Sequence, residues 1–319
     1  MKTRIDSTKS TKKITDAMKL VAAAKVRRAQ DAVVNGRPFA ENLVKVLFGV
    51  NDRLRQEDVD SPLTEVRPVK TVSLVIVAGD RGLCGGFNSF VIKKAEKRVE
   101  ELEAMGVAVR LVLVGNKAIK YFKRRPQYTI AGQFSVGQAP GTKEAQSIAD
   151  EIFAEFVSGE VDKVELLFTK FVSLINSDPV IQTLLPMAPS GEMCDINGAC
   201  VDFAEDEIFR LTSKDGKMAV ERDSIGSATA DSASFDSGLI FEQEPSQLLD
   251  ALLPLYMNST VLRTLQESLA SELAARMNAM NAASDNAKAL AKDLTTKYNR
   301  KRQAAITSQI IEIVSGASA

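Results

Sequence analysis

The fold class predicted by this sequence is an α/β domain carried on an antiparallel coiled coil made from the two ends of the chain, and three observations predict it. The stretch from Leu255 to Ser315 contains neither glycine nor proline. Residues 1–35 also lack both. Between Val69 and Pro186 the apolar pattern changes from helical spacing to short continuous runs separated by helical segments. Two long amphipathic helices at opposite ends of a chain most simply meet as an antiparallel coiled coil, with the middle folded as a domain beside it.

At a rise of 1.5 Å per residue, the C-terminal stretch extends to a helix roughly 90 Å long. Leu262, Leu265, Leu269, Leu273, Met280, Ala283, Ala287, Leu290, Leu294 and Tyr298 recur along it at steps of three, four or seven, forming one apolar stripe. A rod of that length needs a partner for its stripe. The N-terminal segment supplies one, with Ile14, Ala17, Met18, Val21, Ala24, Arg28 and Ala32 on one expected face. An N-terminal helix of about 35 to 50 residues is too short to cover about 60, so part of the C-terminal rod should protrude. The expected overhang carries Ile306, Ile310, Ile311, Ile313 and Val314, and a bare apolar tip implies a protein sleeve around it.

Composition narrows the function. With 319 residues, 45% of them hydrophobic, the chain can bury a core. Its 41 basic and 41 acidic residues cancel, so net charge favours neither a nucleic acid nor a membrane surface. There is no histidine, which removes Ser-His-Asp and Cys-His nucleophile systems and most catalytic zinc sites. No apolar run approaches the length of a membrane-spanning helix. Met1 leads directly into a charged helical pattern, so no targeting peptide is expected in this sequence. The N-terminal segment is locally basic, with Lys9, Lys12, Lys13, Lys19, Lys25, Arg27 and Arg28. Without interleaved aromatic residues this reads as a solvated face or one complementary to acidic protein, in preference to a nucleic-acid surface.

In the middle, Val72 to Ala78, Val109 to Val114 and Val164 to Val172 read as buried strands, and Val180 to Leu185 as a further one. Ser89 to Met105 and Lys143 to Val157 read as the helices between them, which indicates a parallel, Rossmann-like sheet with crossover helices. The first strand and its helix are joined by Gly79-Asp80-Arg81-Gly82-Leu83-Cys84-Gly85-Gly86-Phe87-Asn88. Such a turn can hold a phosphate at a helix start. Its spacing fits neither G-x-G-x-x-G nor the P-loop, so tight packing against another element is the competing reading.

Three segments carry a specific resemblance. The run from Lys12 to Lys25 (KKITDAMKLVAAAK), the turn DRGLCGGFN from Asp80 to Asn88 and the segment from Ser271 to Met280 (SELAARMNAM) closely resemble the γ subunit of F-type ATP synthases. Asn299, Arg300 and Arg302 to Thr307 do so too, and the resemblance spans essentially the whole chain in order. It implies that the terminal helices form an asymmetric shaft inside a ring of alternating α and β subunits. The α/β domain would sit at the foot, against ε and the ring of c subunits. By position Met18, Arg276, Gln303 and Thr307 match family residues at the contact between shaft and catalytic subunits. Gln309 departs from the glutamate frequent in the family. The resemblance implies no catalytic residue, metal or cofactor in this chain.

From Ala188 to Glu244 the chain leaves the common pattern and carries Cys194-Asp195-Ile196-Asn197-Gly198-Ala199-Cys200 in an acidic stretch. Asn-Gly is a strong hairpin signal, and a three-residue loop of Ile196-Asn197-Gly198 sets Cys194 directly opposite Cys200, within disulfide reach. Two unpaired surface thiols, or half of a zinc site, are the alternatives. The segment resembles the redox insertion of chloroplast γ subunits, which implies a Cys194-Cys200 disulfide reduced by thioredoxin on the stromal side of the thylakoid membrane. The acidic residues Glu205, Asp206 and Glu207 would disfavour nearby thiolates, and with them spontaneous exchange. Cys84, in the central turn, is expected as a free thiol.

The expected organisation is an N-terminal shaft helix in residues 1–60, a central α/β domain in 69–187, a regulatory insertion with a β-hairpin in 188–244 and a C-terminal shaft helix in 245–319. Two other functional classes stay in view: a nucleotide-dependent α/β enzyme, suggested by the glycine-rich turn, and a tethering coiled coil.

Overall fold

A computed structural model of the chain describes residues 1–56, 69–137, 139–186, 192–194, 200–202, 207–214, 217–224 and 245–317. In chain order the elements are α1 (Lys2–Gln56), β1 (Thr71–Val77), α2 (Phe87–Ala104), β2 (Ala108–Val114), α3 (Asn116–Phe122), β3 (Thr129–Phe134) and α4 (Thr142–Val157). They are followed by β4 (Lys163–Phe171), β5 (Ser177–Leu185), β6 (Glu192–Cys194), β7 (Cys200–Asp202), β8 (Glu207–Lys214), β9 (Lys217–Ser224) and α5 (Pro245–Ala317).

The central sheet has strand order β3-β2-β1-β4-β5-β6-β7. Strands β1 to β4 are parallel, as expected from strands that alternate with helices. β5 returns antiparallel to β4 through a short connection, which a parallel strand could not do. The buried strands read as continuous apolar runs because both faces are covered. Val75, Val77, Val112, Val114, Leu166 and Phe168 face α4 and the first third of α5. Leu74, Ile76, Leu111, Leu113 and Leu167 face α2 and α3. Neither α3 nor β3 is expected from the sequence pattern. β3 lies at the sheet edge, contains Gly132 and is only partly buried, so it never needed an apolar run.

The two terminal helices run antiparallel: Asp16 meets Ser284, Lys19 meets Asn281, and Gly36 lies against Gln266. Both run beyond the stretches that lack glycine and proline, within the expected shaft segments 1–60 and 245–319. α1 continues through Gly36 and Pro38. α5 begins ten residues before Leu255, at Pro245, and includes Pro254, where burial of Leu253, Tyr256 and Met257 offsets the lost backbone bond. Even so, every residue from Asn299 to Gly316 is exposed, so the expected apolar overhang is present. Ile306, Ile310, Ile311, Ile313 and Val314 are 46–70% exposed along it.

The buried face of α1 differs from the expected one. Thr15, Ala22, Val26, Ala29 and Val33 are buried, whereas Ile14 and Val21 are 60% and 57% exposed and Ala17, Ala24 and Arg28 are exposed as well. One residue is about 100° around a helix, so the contact stripe is rotated by about that much. Two apolar stripes run side by side on α1, and the one with the smaller residues is used. Ala29 faces a stretch of α5 that offers Ala270 and Ala274, and this permits close approach of the two backbones, with Val26, Val33, Leu273 and Phe171 filling the flanks. On α5 the expected stripe lies along the contact except at Leu290, which is 51% exposed.

A polar layer sets the register. Lys12 Nζ and Ser284 Oγ donate to the two oxygens of Asp16, and Lys19 Nζ donates to Asn281 Oδ1 at 2.7 Å. These bonds, Lys12 first, hold the Asp16 carboxyl below the usual carboxylate range.

The insertion is described in part. β6 adds to the sheet beside β5, and β6 pairs with β7 antiparallel with Cys194 as the register partner of Cys200. β8 and β9 form a separate two-stranded sheet, and Glu207 is the first residue of β8. Glu205, Asp206 and the Ile196-Asn197-Gly198 loop lie outside the described residues.

The close seam leads to a direct expectation. Ala270→Leu should destabilise the chain by about 1–3 kcal/mol through overpacking, while Ala24→Leu, on the stripe first expected to be buried, should stay within about 0.5 kcal/mol. Urea unfolding of the two variants checks this.

Candidate functional site

Where α1, α5 and the glycine-rich turn meet, a cleft of about 470 Å³ opens, lined among others by Met18, Val21, Arg81, Leu83, Leu269 and Arg276. The turn leaves the carboxyl end of β1, and its shape is specified by its own side chains. Gly79 N donates to Asn88 Oδ1 at 2.9 Å, and Asn88 Nδ2 reaches Cys84 Sγ at 3.0 Å and the Arg81 carbonyl at 3.3 Å. Asp80 binds both sides of the next crossover, accepting from Asn116 N at 2.8 Å and from Gly137 N at 2.6 Å. A carboxylate of the chain thus takes up the amide at the start of α3, one of the donors that a phosphate would seek at such an edge. This geometry supports the packing reading of the turn over the ligand reading.

Two backbone features mark the turn as shaped for contact. A Cβ on Gly79 would lie 2.7 Å from Glu272 Oε2, so a side chain at this position would displace the Glu272 carboxylate. Leu83 adopts φ 63°, the left-handed region that leucine rarely enters, and its side chain is 63% exposed beside α1.

The sequence-derived site residues separate into three groups. Met18 and Arg276 line the cleft, Met18 half-buried and Arg276 with 12% of its side chain exposed. Gln303 and Thr307 are exposed on the protruding end of α5, one helical turn apart, with Thr307 Oγ1 donating to the Gln303 carbonyl at 2.9 Å. Cys194 and Cys200 sit on β6 and β7, well separated in sequence from either.

Glu272 is the residue that pattern reading missed. It is buried, contacts Arg276 one turn along and faces Gly79. Burial raises its pKa above the usual range even with Arg276 opposing. A glutamate on a helix otherwise dotted with charges carries no sequence signal of burial. The signal that could have found it is the arginine four residues later.

Cys84 is a free thiol, 1% exposed. Burial first, then the nearby Glu272 charge, pushes its pKa above the ordinary thiol value. Because only the thiolate reacts, labelling of folded Cys84 by a maleimide should be far slower than that of an exposed thiol. Its rate should still be rising about tenfold per pH unit at the pH where a free cysteine has levelled off, and stopped-flow labelling across the alkaline range checks this.

A family model described as ATP synthase matches residues 1–319. The chain is 68% identical to the chloroplastic ATP synthase gamma chain of Chlamydomonas reinhardtii, covering 99% of this chain and 87% of that protein. It is 61% identical to the chloroplastic gamma chain of Spinacia oleracea over its full length and 87% of that one. The ATP synthase gamma chain of Synechococcus sp. (strain WH7803) is 55% identical over 99% of this chain and 96% of its own. Among solved structures, a chain from the central stalk and c-ring structure of the Tetrahymena thermophila mitochondrial ATP synthase superposes with TM-score 0.56 at 25% identity, covering 85% of this chain and 99% of that one. A fold of two long antiparallel helices on a doubly covered sheet, matched end to end by these relatives, makes the chain a member of the ATP synthase γ-chain family.

Proposed function

We propose that the chain turns as the central shaft of a chloroplast-type ATP synthase, inside a ring of alternating α and β subunits, with a thiol switch in its insertion. The observation that carries the shaft reading is the end of α5, about 18 exposed residues of helix whose isoleucines are covered by no other element among the described residues. A second exposed stripe, Ile14 and Val21 on α1, continues this apolar surface down to the cleft. Met18 lies on that stripe, and Gln303 and Thr307 on the overhang, where they would meet the ring. Catalysis belongs to the β subunits: as the asymmetric shaft turns, each meets a different face, and differential contact shifts its population among nucleotide-binding states. This chain binds no cofactor or metal in this reading, and no nucleic acid.

The domain would rest on the c-ring with ε beside it, which keeps the chain peripheral on the stromal side of the thylakoid membrane. The switch is supported by register. Directly opposed antiparallel residues have Cα atoms roughly 4.5 to 5.5 Å apart, inside the range a disulfide accepts, and Cys194 and Cys200 are such partners. Thioredoxin would attack through one thiolate, pass through a mixed disulfide and leave two cysteine thiols here with its own pair oxidised. A loop that short is stabilised by only about 2–3 kcal/mol on closure, in keeping with a switch more than a staple. The acidic residues Glu205, Asp206 and Glu207 would keep exchange slow without the enzyme.

ATP hydrolysis by a reconstituted α–β–γ complex tests both parts. With Cys194 and Cys200 oxidised, activity should be low and should rise several-fold on reduction by thioredoxin. A Cys194→Ser, Cys200→Ser variant should be active in either condition. Activity that depends on this chain and ignores redox state would sink the switch alone, and a ring that neither assembles with nor responds to the chain would sink the shaft.

A further inference from the structure

Arg276 faces inward. Its Nη2 binds the Glu272 carboxylate, and its Nε and Nη2 both point at the Gly82 carbonyl, at 3.4 Å each. Glu272 sits one helical turn earlier on α5 with 10% of its side chain exposed, packed so near Gly79 that a Cβ there would displace its carboxylate. The pair therefore touches the glycine-rich turn at two points, Glu272 at Gly79 where β1 ends and Arg276 at Gly82 on its outer side. Arg81, between them, is exposed.

A residue placed to meet a neighbouring subunit would direct its charge outward. Arg276 instead spends its fork on a carboxylate and a carbonyl of its own chain. A guanidinium suits that position because its rigid plane fixes Nε and Nη2 together on the Gly82 carbonyl while Nη2 meets Glu272, a geometry that an ammonium on a flexible stem does not fix. The turn also needs an external hold, since Leu83 is kept at φ 63°.

We propose that Arg276 is a positioning residue: with Glu272 it clamps the glycine-rich turn onto α5, and Arg81, not Arg276, is the cation that the turn offers to the surrounding ring. The clamp stands on this chain's own contacts. The role of Arg81 rests on the shaft reading above.

Cys84 reports on the clamp because it lies beneath the turn, 1% exposed, with its sulfur against Asn88 and the Arg81 carbonyl. The experiment uses the full chain with Cys194→Ser and Cys200→Ser, so that Cys84 is the sole thiol. Its rate of labelling by a maleimide is read under native conditions, with far-UV circular dichroism confirming that the helices are intact. Arg276→Gln should raise the rate about tenfold or more, the effect of losing a charge-assisted bond. Arg276→Lys, which keeps the charge and the fold but loses the fork, should raise it by less. Arg81→Gln should leave the rate unchanged while weakening binding of the chain to an α–β ring at low ionic strength.

Labelling of both Arg276 variants at the parent rate would overturn the clamp. If Arg81→Gln binds the ring as tightly as the parent, the assignment of Arg81 is wrong. If the parent chain binds no ring at all, the shaft reading fails, and the labelling result still decides the clamp.

Discussion

The structure depends on the close approach of α1 and α5 through alanines. Neither helix can bury its apolar residues alone, and most of the stability of long helices in water comes from such packing. Ala29, Ala270 and Ala274 bring little apolar area themselves, but they let the two backbones come near enough for Val26, Val33 and Leu273 to be enclosed. The Asp16 and Ser284 layer then selects one register out of those the stripes would tolerate. Because the small-residue stripe is turned inward, the larger residues Ile14 and Val21 are left outside.

That seam is also where the α/β domain grips the rod. Between Ser271 and Asn278, α5 is held from one side by the glycine-rich turn. From the other side the end of β4 and its hairpin hold it, with Ser271 Oγ donating to the Thr169 carbonyl and Asn278 Nδ2 to the Leu174 carbonyl at 2.7 Å. Phe171 joins the apolar cluster of the seam itself. Opposed contacts on a short length of helix resist rotation of the rod against the domain better than contacts on one side would. A chain that transmits torque from its domain to its tip needs that resistance at this level.

Buried charge appears where the domain meets the rod and where the sheet ends. Glu165 on β4 is paired with Arg98 and Lys163, and these partners together hold its carboxyl below the usual range despite the large opposing effect of burial. Glu272 comes out on the other side, burial outweighing its bond to Arg276 and the charges of Arg276 and Arg81. A carboxylate held that weakly in the charged state contributes less to stability than to placing Arg276, which agrees with a local role in orienting the turn.

Much of the architecture was legible in the sequence. Two stretches without glycine or proline announced the rods, continuous apolar runs announced strands covered on both faces, and the difference in helix length announced the bare tip. The Cys194 and Cys200 pairing in register followed from hairpin geometry. Other features were decided only in three dimensions. Which of two adjacent stripes on α1 enters the seam depends on how small its residues are relative to those opposite, and periodicity does not measure that. β3 and α3 escaped notice because an edge strand and a single-layer helix need few apolar residues. α5 runs unbroken through Pro254 because packing against the sheet outweighs the cost of that proline. The inward turn of Arg276 arises from residues almost two hundred positions away, and local sequence specifies a side chain's chemistry but not which distant carbonyl will lie beside it.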